Sequence, residues 1–339
     1  MATPAKKNGD ILGQYASHCP NISDTAQYWF LRTVGGSLFE PFITSQSVAI
    51  GYPYIDLKTL MGLSFNKDGI DKLKKQIKAN DPTEERPGLA ARQLLVFTHA
   101  MKEGDYVVIP SFGTRSLAIG RITEKPPFQS PLKFNGEEMI GYAKRRSVRW
   151  IKRVQRESVN ANLYLSLYAH QTISNVTDSS QWIDMLLFDF FKKGKNFHYI
   201  LGVDRMGGID ARELFQACID LFKLADDFTS EYGITGTGEK METRINLNSP
   251  GEIELISHGV EYMIAAAALV VTLSGGGFKS ETLKIDLHTD GLIKKINDFL
   301  NDRKQRQLSD SLRKKFDDLK VKRSADIIRM IEKNNKPKP

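Results

Sequence analysis

Cysteine is nearly absent from this chain, with two residues, Cys19 and Cys218, among 339. Two distant thiols give neither a disulfide framework nor a zinc site, and a reducing, cytoplasmic compartment is the default expectation. The six histidines also lack metal-ligand spacing, so no metal and no cofactor is expected. No apolar run reaches the roughly 20 residues of a membrane span. The longest, MIAAAALVVTL at 263–273, stops at Ser274-Gly275-Gly276-Gly277 and follows Glu252, Glu254 and Glu261. It reads as a buried core helix or strand, and no membrane association is expected. The opening residues, MATPAKKNGD, contain no apolar core of a secretory signal.

Catalytic signatures are scarce as well. GITGTGEK at 233–240 has the glycine spacing of a phosphate loop, but Glu239 stands where a lysine is needed and would repel phosphate. SGGGFKS at 274–280 has Phe278 where glycine must be. Asp204, Asp210 and Glu213 flank Gly207-Gly208 without calcium-loop spacing. No Ser/His/Asp or Cys/His arrangement emerges, so no catalytic residue is assigned.

Charge is abundant and unevenly spread. The chain carries a net +8. Residues 1–155 hold 22 lysines and arginines against 14 acids, residues 156–300 hold 13 against 20, and residues 301–339 hold 13 against 6. Basic ends around an acidic middle suggest polyanion contact at the ends. The composition therefore divides the chain into a loose lead-in at 1–24, a basic domain at 25–155, an acidic α/β domain at 156–300, and a basic helix with a disordered tail at 301–339.

Within the basic domain, strands are expected at 27–33, 47–52, 106–111, 116–123 and 142–154. Ile70, Leu73 and Ile77 share one face of a helix ended by Pro82, and a second helix runs over 87–102. Aromatics and cations gather near the strand ends: Trp29, Arg32, Phe39, Phe97, Arg115, Arg145, Arg146, Arg149 and Trp150. Residues 144–153 (KRRSVRWIKR) place six cations on one strand. Such density is repulsive without an anion nearby, and arginines with aromatic rings suit phosphates and base faces.

The pieces YWFLRT, SVAIGYPYIDL, MKEGDYVVIPS with SLAIGRIT, and RRSVRWIKRV resemble, in this order, the N-terminal module of Mrr-related restriction-system proteins. They also resemble EVE and YTH domains, all of PUA-like fold. EVE-type members open on a Tyr-Trp strand, here Tyr28-Trp29, and carry a helix leading into a Gly-Asp turn, here Gly104-Asp105. The resemblance implies a small β-barrel with flanking helices that recognises a modified or flipped base, DNA favoured over RNA, in a restriction or antiviral-defence setting. It implies an aromatic cage, with Trp29, Phe97 and Trp150 as candidates, and a mouth lined by Ser111 and Arg115. Flipping a base costs a few kcal/mol, returned by pocket contacts. Mrr-type proteins add a nuclease. No such motif occurs in 156–339, since Gln76-Ile77-Lys78 has the letters but lies in the amphipathic helix.

The second region reads as strands at 162–169 and 172–177, a helix at 179–194, a strand at 198–204 and a helix at 210–233. RINLNSPGEIELI (244–256) and KIDLHTDGLIKKI (284–296) align without gaps as two strand–helix units. QTISNVTDSSQWIDML is a weaker third copy. A long charged helix at 290–320 carries Leu308, Leu312, Phe316 and Leu319 at the spacing of a docking seam. This domain is expected to mediate oligomerisation or partner contact. The alternatives are an enzyme with an active site in 156–339 gated by the first domain, and a membrane- or partner-tethered adaptor.

Overall fold

The computed structural model describes residues 9–123, 126–167, 171–205, 208–234, 241–246, 251–274 and 291–334. It is a mixed α/β protein of two units, Thr25–Leu187 inserted into the sequence of Met1–Asp24 with Phe188–Pro339. The chain opens the outer unit with α1 (Gly9–Ala16) and β1 (Asn21–Ile22). The inserted unit then runs through β2 (Tyr28–Leu31), α2 (Phe39–Thr44), β3 (Ser47–Ile50), α3 (Leu57–Met61), α4 (Lys67–Asn80), α5 (Pro87–Leu95) and a π-helical turn at Val96–Ala100. It continues with β4 (Tyr106–Pro110), β5 (Ser116–Ile122), β6 (Phe128–Gln129), β7 (Lys133–Phe134), β8 (Glu137–Glu138), β9 (Lys144–Gln155), α6 (Ala161–Ser166), β10 (Ile173–Asn175) and α7 (Ser180–Leu187). The outer unit resumes with β11 (Phe190–Lys193), β12 (Asn196–Val203), α8 (Ala211–Glu231), β13 (Glu242–Asn246), β14 (Gly251–Ser257), α9 (Val260–Leu273), α10 (Leu292–Asn301), α11 (Arg306–Leu319) and α12 (Ala325–Asn334).

In the inserted unit the strands form one curled, half-barrel sheet in the order β10-β2-β4-β5-β9-β3, with β6 beside β9. β2 and β4 are parallel and the other pairs antiparallel. One face buries Trp29, Leu31, Val107, Ile109, Ala118, Ile122 and Val148 against the helices. Leu73 and Ile77 of α4 join that core, as their spacing predicts, and Asn66 caps the helix by accepting from Gly69 N at 3.0 Å. The opposite face carries Tyr28, Phe30, Tyr106, Val108, Leu117 and Ile119, all buried. Here Asp184 of α7 accepts from Tyr28 Oη, and the Tyr28 and Tyr106 rings stack 4.9 Å apart.

The boundary expected at 155–160 is displaced to 187/188. The charge changes near 156, but β10 pairs with β2 and α7 lies along β9, so 156–187 belongs to the barrel unit. The strand expected at 162–169 is α6 through Ser166. Nor are residues 9–24 a loose lead-in. β1 pairs in parallel with β11, and Leu12 and Tyr15 of α1 are buried in the outer unit's core.

The outer unit's sheet has the order β1-β11-β12-β14-β13. Its hub is α9, where every residue from Tyr262 to Leu273 is buried. A helix apolar all round must be enclosed, and α1, α8, α10, α11 and α12 all pack on it. The expected strand–helix repeat fails in its first copy. Its first copy is the β13–β14 hairpin, with Arg244 opposite Glu254; residues 284–290 of the second lie outside the described residues. The weaker third copy, at 171–186, has a strand followed by a helix, and the helix half of the second opens α10. The long helix expected at 290–320 is two, α10 and α11, broken between Asp302 and Gln305. Leu312, Phe316 and Leu319 are buried in their own unit's core with Leu308 packed against it, so the expected docking seam is used internally. The helix expected at 179–194 ends at Leu187 and gives way to β11, and the C-terminal segment contributes the unforeseen α12. Residues 335–339, expected to be a tail, lie outside the described residues.

Candidate functional site

The three rings expected to form an aromatic cage do not face a common pocket. Phe97 is completely buried and Trp29 is 6 % exposed; both belong to the core, as does Phe39. Trp150 is half-buried, with Nε1 donating to Phe42 O at 3.0 Å. Trp29 Nε1 donates to Asp105 Oδ2 at 2.8 Å. Asp105 also accepts from Lys102 N at 2.9 Å and Gln27 N at 3.0 Å. The Tyr-Trp strand and the Gly-Asp turn are thus one buried hydrogen-bonded knot, in which the indole ties β2 to the start of β4.

The cations of β9 fall into two groups. Those of the first half point inward or lie flat. Lys144 is 2 % exposed and donates to Tyr52 O at 2.7 Å; burial pushes its pKa down to about 8. Arg146 is 5 % exposed, donates to Phe97 O at 2.5 Å and Thr98 O at 2.9 Å, and has its pKa pushed down to about 10 by burial. These carbonyls end the helical run that closes on the π-helical turn, where donors are short and the dipole is negative. Arg145 is half-buried, bonding Ser47 Oγ at 2.8 Å and lying over the Phe128 ring.

The second half turns outward. Arg149, Lys152 and Arg153 are exposed, as is Arg156 just past the end of the strand. Arg153 pairs with Glu40 at 3.0 Å and covers Phe39; Arg156 lies over the Tyr164 ring. Arg149 and Lys152 have no hydrogen-bond or ion-pair partner among the described residues. A bulge brings these two together. Lys152 pairs with Ile119 and Trp150 with Gly120, leaving Ile151 extra. Residues 149 and 152, opposite-facing in a regular strand, therefore share a face with Arg121. Gly120 is obligatory here, because a Cβ would fall 2.4 Å from Val148 Cγ1 and 2.7 Å from Trp150 Cε3.

Two exposed features flank this face. At one end, the turns at 33–38 and 111–115 touch. Thr33 Oγ1 donates to Pro110 O at 2.6 Å, and a Cβ on Gly36 would fall 2.4 Å from Phe112 Cα. Phe112 stands 71 % exposed at this tip, beside exposed Arg115. Val34 and Thr114 hold φ of 50° and 53°, costly for β-branched residues and typical of sites where shape is imposed. Ser111 is committed to the turn, accepting from Ser116 N at 2.8 Å, while Arg32 lies half-buried at the end of β2. At the other end, Glu103, Gly104, Arg121, Ile122, Thr123 and Arg149 line a cleft of about 240 Å³.

Phe112, Arg121, Thr123 and Lys152 are absent from the site expected from sequence. An aromatic beside glycine in a strand–strand turn, Phe112-Gly113, was the available signal for the first; Lys152 requires knowledge of the bulge. In the outer unit, Asp204 pairs with Lys322 at 3.2 Å and Glu213 with Arg205 at 3.1 Å, while Asp210 caps α8 through Arg212 N at 2.8 Å. These acids are committed, and no cluster of three metal-ligating side chains occurs among the described residues. Gly207 and residues 235–240 and 275–280 of the glycine-rich stretches lie outside the described residues. No helix among the described residues is long and apolar enough to cross a membrane.

Over residues 32–177 the chain matches a family model described as "Domain of unknown function (DUF8426)". The match ends at Thr177, past β10, and so runs beyond the strand barrel expected to close at 155. No curated protein and no solved structure matches the chain.

Proposed function

We propose that the inserted unit is a PUA-like module that binds a nucleic-acid strand along the outer half of β9. The observation that carries this reading is the sorting of cations within β9. Lys144 and Arg146 are satisfied by carbonyls, whereas Arg149, Lys152 and nearby Arg115 are exposed, with no side-chain partner among the described residues. Cations left without carboxylates on one strand suit a polyanion. Arg149 to Gln155 spans roughly 20 Å at about 3.3 Å per residue, several nucleotides of extended strand. Phe112 supplies a face on which a base stacks at about 1–3 kcal/mol. The curled half-barrel with parallel β2 and β4, and the Trp29–Asp105 knot built from the two signature pieces, support the PUA-like assignment. A restriction or defence setting follows from the family resemblance. Base recognition by Trp29, Phe97 and Trp150 forms no part of the proposal, because those rings are committed to the core.

The test is anisotropy titration of the full chain with labelled single- and double-stranded DNA and RNA across a salt series. Binding should weaken steeply with salt. The R115A/K152A double variant should keep its melting temperature and lose about 0.7–0.9 of log–log salt slope per lost phosphate contact. F112A should weaken binding without changing the slope. Absence of binding at low salt, or a wild-type slope in the double variant, overturns the proposal.

A further inference from the structure

We infer that the cleft between the turn at Lys102 to Asp105 and strands β5 and β9 is a binding site for a single phosphate monoester. Arg121 and Arg149 face each other directly across the β5–β9 ladder. Like charges in directly opposed positions are destabilising, and neither guanidinium meets a carboxylate among the described residues. Arg121 is held in place: its Nε donates to Gly104 O at 3.2 Å, leaving its terminal nitrogens free for a ligand. Gly104 permits this approach, having φ of +86° and leaving 3.3 Å between a notional Cβ and Arg121 Nη2. Thr123 lies in the same lining, and its Oγ1 is buried with no hydrogen-bond partner among the described residues. A buried hydroxyl normally finds a partner, and a phosphate oxygen supplies one. Behind Arg121 the ladder continues into Tyr106 and Tyr28, a stacked, buried pair that fixes the backbone of β5 from which Arg121 projects.

Two guanidiniums, a hydroxyl and one carboxylate, that of Glu103, converge on the cleft. Their formal charge sums to +1, which suits one phosphate group and disfavours a polyphosphate chain. The ligand is either the phosphate of a free nucleotide-like monoester or the terminal phosphate of a strand. The second source rests on the nucleic-acid reading; the first does not.

The experiment titrates the full-length protein by calorimetry with inorganic phosphate, a nucleoside 5′-monophosphate and the matching triphosphate, then with oligonucleotides bearing a 5′-phosphate or a 5′-hydroxyl. R149Q is the principal variant, since Arg149 has no structural partner; T123V is the second, replacing only the hydroxyl. The monophosphate is expected to bind better than the triphosphate. R149Q should lose about tenfold or more of that affinity, the effect of one charge-assisted bond, with an unchanged melting temperature. T123V should lose a smaller factor. No phosphate or monophosphate binding at millimolar concentration, or equal affinity in wild type and R149Q, overturns the inference. Preference for 5′-phosphorylated strands identifies the strand end as the source. Equal binding of both oligonucleotides, or binding of neither, with the monophosphate still held, identifies a free monoester. R115A/K152A separates the two readings: it should lose strand affinity and keep monophosphate affinity.

Discussion

Arg146 offers the sharpest test of how β9 divides its cations. Replacing it with methionine keeps the aliphatic stem and removes the guanidinium. Met101 N bonds Val96 O at 3.0 Å, one residue further back than an α-helix would take it, so the carbonyls of Phe97 and Thr98 depend on Arg146. Losing a bond to a charged group costs about 1.5–3 kcal/mol, and each buried carbonyl left unpaired costs about 1–3 kcal/mol. Against this stands relief from burying a charge that has no carboxylate partner, a penalty visible in the lowered pKa of Arg146. The net expectation is a loss of about 3–5 kcal/mol, a large part of a domain's usual stability of about 5–15 kcal/mol. For a unit of this size that is a fall in melting temperature of roughly 10 °C. Thermal unfolding of the full chain, followed through Trp29, Trp150 and Trp182 fluorescence, reads it directly. R146K should recover only part of the loss, because an ammonium cannot span two carbonyls as the planar fork does. Oligonucleotide affinity well below the transition should match wild type. An R146M protein that melts normally but no longer binds would refute the reasoning and make Arg146 a ligand contact.

Two further outcomes follow from the packing. In the outer unit, Asp326 accepts from Asp189 N at 2.8 Å while Asp189 accepts from Ala325 N at 2.7 Å, and burial beside Asp189 pushes the Asp326 carboxyl from 3.8 up to about 6. A raised folded-state pKa gives stability that is complete below the ordinary value and lost as pH rises through about 6, so wild type should lose on the order of 2–3 kcal/mol relative to D326N between pH 4 and pH 7.5 in urea titrations; parallel curves would exclude this linkage. Cutting the chain at the charge change should fail where cutting at the unit boundary succeeds. A fragment of residues 25–187 should unfold cooperatively by circular dichroism, while 25–155 lacks the buried Leu163, Ile173 and Ile183, about 1.5–3 kcal/mol each, together with the β10–β2 pairing and the Asp184–Tyr28 bond, and should not fold; a cooperative 25–155 would sink the assignment of α6, β10 and α7 to the barrel unit.

Local periodicity made some elements plain. Ile70, Leu73 and Ile77 announced α4, and the uniformly apolar 263–273 announced a buried element that proved to be α9. What escaped depends on contacts distant in sequence. Nothing near Ile173 says that β10 will pair with Leu31, and the drop in basic charge after Arg156 marks a change of surface, not a domain edge. Ser249 followed by Gly251 imitates a helix start, where the chain instead forms the antiparallel pair β13 and β14. Ile253 and Leu255 are core residues on the same face of β14, as the alternation Glu-Ile-Glu-Leu requires, so the strand signal and the helix-start signal compete at this point in the sequence. Trp29 shows the limit for side chains. An aromatic beside a cation-rich strand has the composition of a base pocket, and only the placement of Asp105 at the indole N–H turns it into a structural anchor.

What the cations of β9 can contact depends on their geometry more than on their number. Six cations on one strand have the same net charge whether they face carbonyls, rings or solvent, so no count of lysines and arginines separates a binding surface from a well-packed barrel. The π-helical turn and Tyr52 withdraw Arg146 and Lys144, and Glu40 engages Arg153. The bulge at Ile151 then places Arg149 and Lys152 on one face with Arg121. Remove the bulge and Lys152 rotates to the other side of the sheet, splitting that basic face in two. Gly120 leaves room for Val148 and Trp150 at the bulge, with no space for even a methyl group. A glycine with ordinary backbone angles inside a strand is therefore as much a determinant of the proposed surface as the arginines that form it.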